Sequence, residues 1–191
     1  NQLALQRAGI TRDYIAALSA EERKYYGHTP DFTPNGFVAE RGWDRLASIV
    51  PPVPTEKLAV GAQAGVDVMN SFGVTAWMDP MVNAEPSRPM FSIVPTVSDL
   101  GVLPAYEAVA ATGGLTGHVV GMVLVNARSG PEALEVVESV RKRFANVPNL
   151  RLSGIKILAD GVSNAPSRTA AISIPYRGTD SLGLLEIDPA N

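Results

Sequence analysis

Residues 55 to 157 alternate between two kinds of apolar pattern. Leu58, Ala62, Val66, Met69 and Phe72 recur at the spacing of one helix face, with Thr55 as the expected cap and Gly73 as the stop. Val74 to Met78 is a short apolar run closed by Asp79-Pro80, and it reads as a strand. A proline-rich loop reaches about Val97. Residues 103–112 then read as a helix ended by Gly113-Gly114, and Gly117 to Val125 as a strand ended by Asn126. Ser129 with Glu132 three residues later predicts a capping box for a helix carrying Leu134, Val137, Val140 and Phe144. A last strand begins at Leu150. Helix and strand in this alternation and spacing are the mark of parallel βα units, so the fold class is α/β with about three such units.

The first fifty residues lack that regularity. Leu3 to Ala8 reads as a short helix stopped by Gly9, and Ser19 with Glu22 makes a capping box for a second. The stretch YYGHTPDFTPNGF reads as a loop with a turn at Asn35-Gly36. Its aromatics either line a pocket or pack the loop down, the second being the commoner role. His28 in this loop is a lone histidine, of the kind more often solvated than metal-bound. Phe37 to Glu40 is expected to be extended and Trp43 to Val50 to form a short amphipathic helix. Pro51 to Pro54, PPVP, is a stiff linker. It divides the chain into an N-terminal, cap-like segment (1–50) and an α/β segment (51–191).

Composition narrows the classes without choosing among them. The 191 residues are 46% hydrophobic and 18% charged with a net charge of -3, which excludes a disordered chain. Lys and Arg are scattered, so no nucleic-acid partner is expected. No apolar run approaches the roughly 20 residues that span a bilayer, so no membrane partner is expected either. The absence of cysteine removes disulfides and thiolate metal sites and leaves the compartment open, the cytoplasm being the default expectation. The chain opens at Asn1 without an initiator Met, so an upstream segment is expected.

Candidate chemistry gathers in LRLSGIKILADGVSNAPSRTAAISIP, Leu150 to Pro175. Leu152 to Ala159 has the length and β-branched content of a buried strand, interrupted by Lys156 and stopped by Asp160-Gly161. Period-two alternation places Lys156, Leu158 and Asp160 on one face and Ile155, Ile157 and Ala159 on the other, a hydrocarbon face suited to packing under helices. The C-terminal ends of such strands are where α/β folds place chemistry. A strand lysine can instead snorkel past its neighbours and pair with a carboxylate such as Asp160. The residues alone leave both readings of Lys156 open.

The stretch GIKILADGVSNAPSRTAA, followed by PY and SLGLL, resembles the signature of the amidohydrolase family 3 proteins. NQLALQRAGIT and FGVTAWMDP resemble two further elements of the same family, in the same order along the chain. The resemblance implies a partial (β/α)8 TIM barrel with an N-terminal helical and loop insertion over its pocket. It implies a metal-dependent hydrolase that attacks a non-peptide, amide-type C–N bond of a small molecule with metal-activated hydroxide, zinc being the expected divalent ion. Lys156 would be the metal-holding lysine, as its carbamate. Asp160 and Arg168 would be catalytic or substrate-side groups, although an arginine in such a loop is as readily an anchor for backbone carbonyls. Met78 departs from the His or Gln often found before the Asp of the family's second strand and is assigned to packing. The chain contains no H-x-H pair, and His118 stands at the wrong end of its strand for a ligand. The central fragment of such an enzyme is therefore expected to be inactive alone, and its open sheet edges to make it a homo-oligomer. Two other classes are kept: a Schiff-base lyase built on Lys156, and a non-catalytic structural or binding module.

Overall fold

The apolar runs of the second half of the chain become a parallel sheet, and the irregular first half becomes a cluster of short elements. The computed structural model describes residues 1–85, 87–91, 94–126, 129–164 and 167–187. These fall into two units, one formed by the described residues of 1–51, 87–91 and 158–187, the other by those of 52–85 and 94–157.

In the first unit the elements are α1 (Gln2–Arg7), α2 (Arg12–Ala17), α3 (Ala20–Arg23), β1 (Tyr26–His28), β2 (Pro34–Val38) and α4 (Arg41–Ala47). Side-chain caps fix the three short helices. Asn1 Oδ1 accepts from the Ala4 N–H at 2.9 Å, Thr11 Oγ1 from Tyr14 at 3.2 Å, and Ser19 and Glu22 complete the expected capping box. The last carbonyls of α2 and its cap are bonded by Arg23, from Nε to Ile15 O and from Nη2 to Leu18 O. Leu5, Ala8, Ile10, Ile15, Tyr25 and Tyr26 make the core. The loop expected around His28 is instead an antiparallel pair, β1 against β2, with an irregular register between Tyr26 and His28.

The second unit holds α5 (Thr55–Ser71), β3 (Ala76–Asp79), α6 (Leu103–Ala111), β4 (His118–Val125), α7 (Glu132–Arg143) and β5 (Leu150–Ile157). Its strands are parallel and adjacent in the order β3-β4-β5. Val66 of α5, Val109 of α6, Val140 of α7 and Phe144 at the α7 C-cap pack with Val119, Val123, Leu150 and Leu152 of the sheet. Of the residues expected to bury one face of α5, Val66 does so and Phe72 stays 81% exposed. The expected caps at Thr55 and Ser129 do not form. Pro54 and Pro131 take the N-cap positions, and Glu132 turns back to accept from the Gly130 N–H at 3.0 Å.

The sheet is open. Among the described residues it has three strands and does not close into a barrel. The second segment expected from the PPVP boundary, 51–191, is divided at Ile157: the chain beyond it belongs with the N-terminal elements. Hydrogen bonds give the reason. Glu186 N–H donates to Ala159 O, Asp160 bridges to Leu185, Arg41 pairs with Glu186, and Thr169 Oγ1 donates to Glu40.

Candidate functional site

At the C-terminal ends of the strands, Asp79 closes β3. It pairs in register with Gly121, on the same face as Trp77 and Val119. Its Oδ1 accepts from the Met81 N–H at 3.1 Å, and its Oδ2 accepts the Tyr106 hydroxyl of α6 at 3.0 Å. Burial, and then the Asp79 charge, push the Tyr106 phenol up to about 12. Asp79 thus ties a strand end to its following helix.

Beyond β3 the chain keeps contact with β4 through Asn83, a residue the sequence pattern did not single out. Its side chain is 1% exposed. Nδ2 donates to Leu124 O at 3.0 Å and Oδ1 accepts from the Leu124 N–H at 2.7 Å. The primary amide therefore takes the place of a strand peptide where β3 has ended. Gly101 lets this happen, because a Cβ there, besides its φ of 49°, would lie 2.4 Å from the Asn83 carbonyl carbon.

Lys156 sits opposite Leu124 in the next strand. The pairing of β4 with β5 slips by one residue between Gly121 and Met122, so that Leu152 pairs with Gly121, Gly154 with Met122, and Ser153 is passed over. Partners in a parallel ladder share a face. Ile155 and Ile157 therefore follow Val123 and Val125 onto the face that packs helices, and Lys156 follows Leu124 onto the other. The hydrocarbon face is less covered than expected, Ile155 being 37% and Ile157 41% exposed. Lys156 is half-buried and makes no hydrogen bond or ion pair among the described residues.

The strand ends at Ile157, so Leu158 and Asp160 do not continue it as expected. Asp160, in the first unit, is exposed; its Oδ2 accepts from the Ala171 N–H at 3.1 Å. Arg168 is also exposed and holds a backbone φ of 49°, with Nη1 donating to Arg177 O at 3.2 Å. Both groups bond backbone atoms of the segment that carries them. Lys156 belongs to the sheet unit, so the three expected site residues are shared between two units. Ala165 and Pro166 of the resembling motif lie outside the described residues.

Among the described residues, no three or more His, Asp or Glu side chains converge as a metal-holding group. His28 Nδ1 lies 2.8 Å from Thr29 O, and His118, exposed at the start of β4, is in the other unit. These donors do not compose a divalent-metal site, and Lys156 is the single position that the resemblance assigns to a ligand. The Tyr25-Tyr26 pair, weighed above as packing or pocket, does both: each residue is 7% exposed, and together they line a cleft of about 330 Å³ in the first unit.

Comparison of the chain with models of known protein families, with curated proteins and with solved structures finds no match. What the fold defines is a mixed α/β protein with an open parallel sheet and a small antiparallel pair. Among the described residues no helix is long and apolar enough to cross a membrane.

Proposed function

We propose that the chain is part of a metal-dependent amidohydrolase, a slice of about three βα units from a (β/α)8 barrel, acting on a non-peptide amide-type bond of a small molecule. Lys156 carries the proposal. An ammonium that is half-buried and has no partner among the described residues is unfavourable to retain for structure alone, and its pairing with Leu124 keeps it off the helix-packed face. Those two properties suit a lysine that is to be modified or to meet a ligand. Among the described residues the donors do not complete a metal centre, and the isolated chain is expected to be inactive. Its own contribution is one lysine position and the sheet that fixes it. Asp160 and Arg168 act in this reading by shaping the loop that follows.

The test compares the 191-residue chain with the longer product of its coding region. Both would be assayed for hydrolysis of N-acyl amino acids and cyclic ureides, with and without a chelator, and analysed for bound zinc after dialysis. Hydrolysis by the longer form alone, lost on chelation and in Lys156→Arg, is the expected result. Turnover by the isolated chain, or chelator-resistant turnover, would overturn the proposal. Borohydride trapping of a carbonyl compound on Lys156 would favour the Schiff-base chemistry instead. The structural employment of Asp160 and Arg168 favours a second reading, a non-catalytic binding or structural module. Absence of zinc and turnover from the longer form would select it.

A further inference from the structure

Of the asparagines in the chain, only Asn35 is followed by glycine. It does not sit in a regular ladder. Tyr26 pairs with Val38 and His28 with Pro34, so Asn35, Gly36 and Phe37 of β2 together face Gly27 alone. Asn35 and Gly36 are both exposed. Gly36 holds a φ of 102°, and a Cβ built on it would meet nothing within 4 Å. The position is open to water, and no side chain shields the Gly36 nitrogen.

The Asn35 side chain folds back along its own backbone. Its Oδ1 accepts the Phe37 N–H at 3.0 Å. The same oxygen lies over Gly27, where a Cβ would come within 2.4 Å of it. Its Nδ2 makes no hydrogen bond among the described residues. Three other asparagines are held the opposite way. Nδ2 of Asn70 donates to Thr116 Oγ1 at 2.8 Å, that of Asn83 to Leu124 O at 3.0 Å and that of Asn149 to Leu115 O at 2.7 Å. Asn35 therefore combines a carbonyl polarised by a donor with a nitrogen that nothing described retains.

We propose that Asn35-Gly36 is a modification site at which the fold presents an asparagine for spontaneous deamidation. The Gly36 backbone nitrogen loses its proton to water and attacks Asn35 Cγ, and the new N–Cγ bond closes a succinimide ring. The electron pair pushed onto Oδ1 is stabilised by the Phe37 N–H that already bonds this atom. As the carbonyl re-forms, the Cγ–Nδ2 bond breaks and the nitrogen leaves with a proton as ammonia. Water then adds to either imide carbonyl and opens the ring to aspartate or isoaspartate. Nothing is oxidised or reduced, and water is the only co-reactant. Either product places a new negative charge on β2, and isoaspartate also moves a methylene from the side chain into the main chain. Neither Lys156 nor the hydrolysis of a substrate enters this reaction, so it stands or falls separately from the proposed function.

The test incubates the folded 191-residue chain at mildly alkaline pH beside a synthetic peptide of the sequence DFTPNGFVAE. Peptide mapping by mass spectrometry locates each converted asparagine, and ion exchange follows the more acidic form. Asn35 is expected to convert before any other asparagine, with isoaspartate among the products. Its rate should lie within about tenfold of the peptide's, the scale of the single hydrogen bond that distinguishes the two. Asn35→Gln keeps an exposed amide but needs a larger ring, and is expected to abolish both the conversion and the acidic form. Should that variant fail to fold, the comparison of wild type with the peptide decides by itself. An Asn35 that stays intact once the peptide has converted, another asparagine that converts first, or an acidic form that accumulates equally in folded Asn35→Gln would overturn the proposal.

Discussion

Replacing Asn83 by alanine removes two hydrogen bonds at once from a site that water does not reach. The Leu124 N–H and C=O would both lose their partner, and each stranded buried group costs about 1–3 kcal/mol. The sum is about 2–6 kcal/mol, with a small further cost for the void. Because the chain has two units, a global melt need not be two-state, and the direct readout is hydrogen exchange at the Leu124 amide. Its protection should fall by about 1.5 to 4 orders of magnitude, at about 1.4 kcal/mol per factor of ten. Asn83→Asp adds a sharper test. A protonated aspartic acid can donate and accept like the amide, whereas the carboxylate can only accept and is buried. Its folded pKa should therefore be raised above the unfolded value near 3.9. Stability relative to wild type would be greatest below that value and lost as pH rises through the folded pKa. A Leu124 amide that stays protected in Asn83→Ala, or an Asn83→Asp variant whose deficit is the same at pH 3.5 and pH 7, would refute the reasoning.

Tyr106 makes the second case for titration. Its phenol is pushed up to about 12, so its contribution is fully present below about pH 10 and lost as pH rises from there to about 12. The stability gap between wild type and Tyr106→Phe, roughly 1–2 kcal/mol after discounting for its partial exposure, should close across that window in alkaline denaturant melts; a gap that persists would count against the Asp79 contact. The sheet makes the third prediction, for β3 and β5 are both edges and Met78 is 58% exposed. Light scattering at micromolar concentration should report a dimer or larger species, and a well-folded monomer would remove the argument.

The parallel sheet was legible because buried parallel strands are short apolar runs between sharp stops, and β3, β4 and β5 have Gly, Asp-Pro or Asn on their flanks. The β1–β2 pair was hidden for the converse reason. Pro34 and a Gly36 at φ 102° sit inside a five-residue strand, and both residues ordinarily argue against one. Ser129 shows how a sequence motif can be right in spacing and wrong in use, since Pro131 takes the cap and Glu132 bonds the turn before it. For Lys156, period-two counting grouped it with residues after the strand's true end. The slip past Ser153, invisible in the sequence, decides which residues before it share its face. Asn83 left no signal at all, because an amide that replaces a peptide bond has no periodicity.

The pairing of Arg41 with Glu186 joins residues 145 positions apart, with the whole sheet unit between them in the chain. During synthesis all the strands of the sheet unit are made before the segment after Ile157, so the N-terminal elements gain their partners in that segment last. Closing so long a loop carries an entropy cost that grows only as the logarithm of its length. The connectivity thus lets the sheet unit complete its own strand pairing before residues 1–51 gain the partners that follow Ile157.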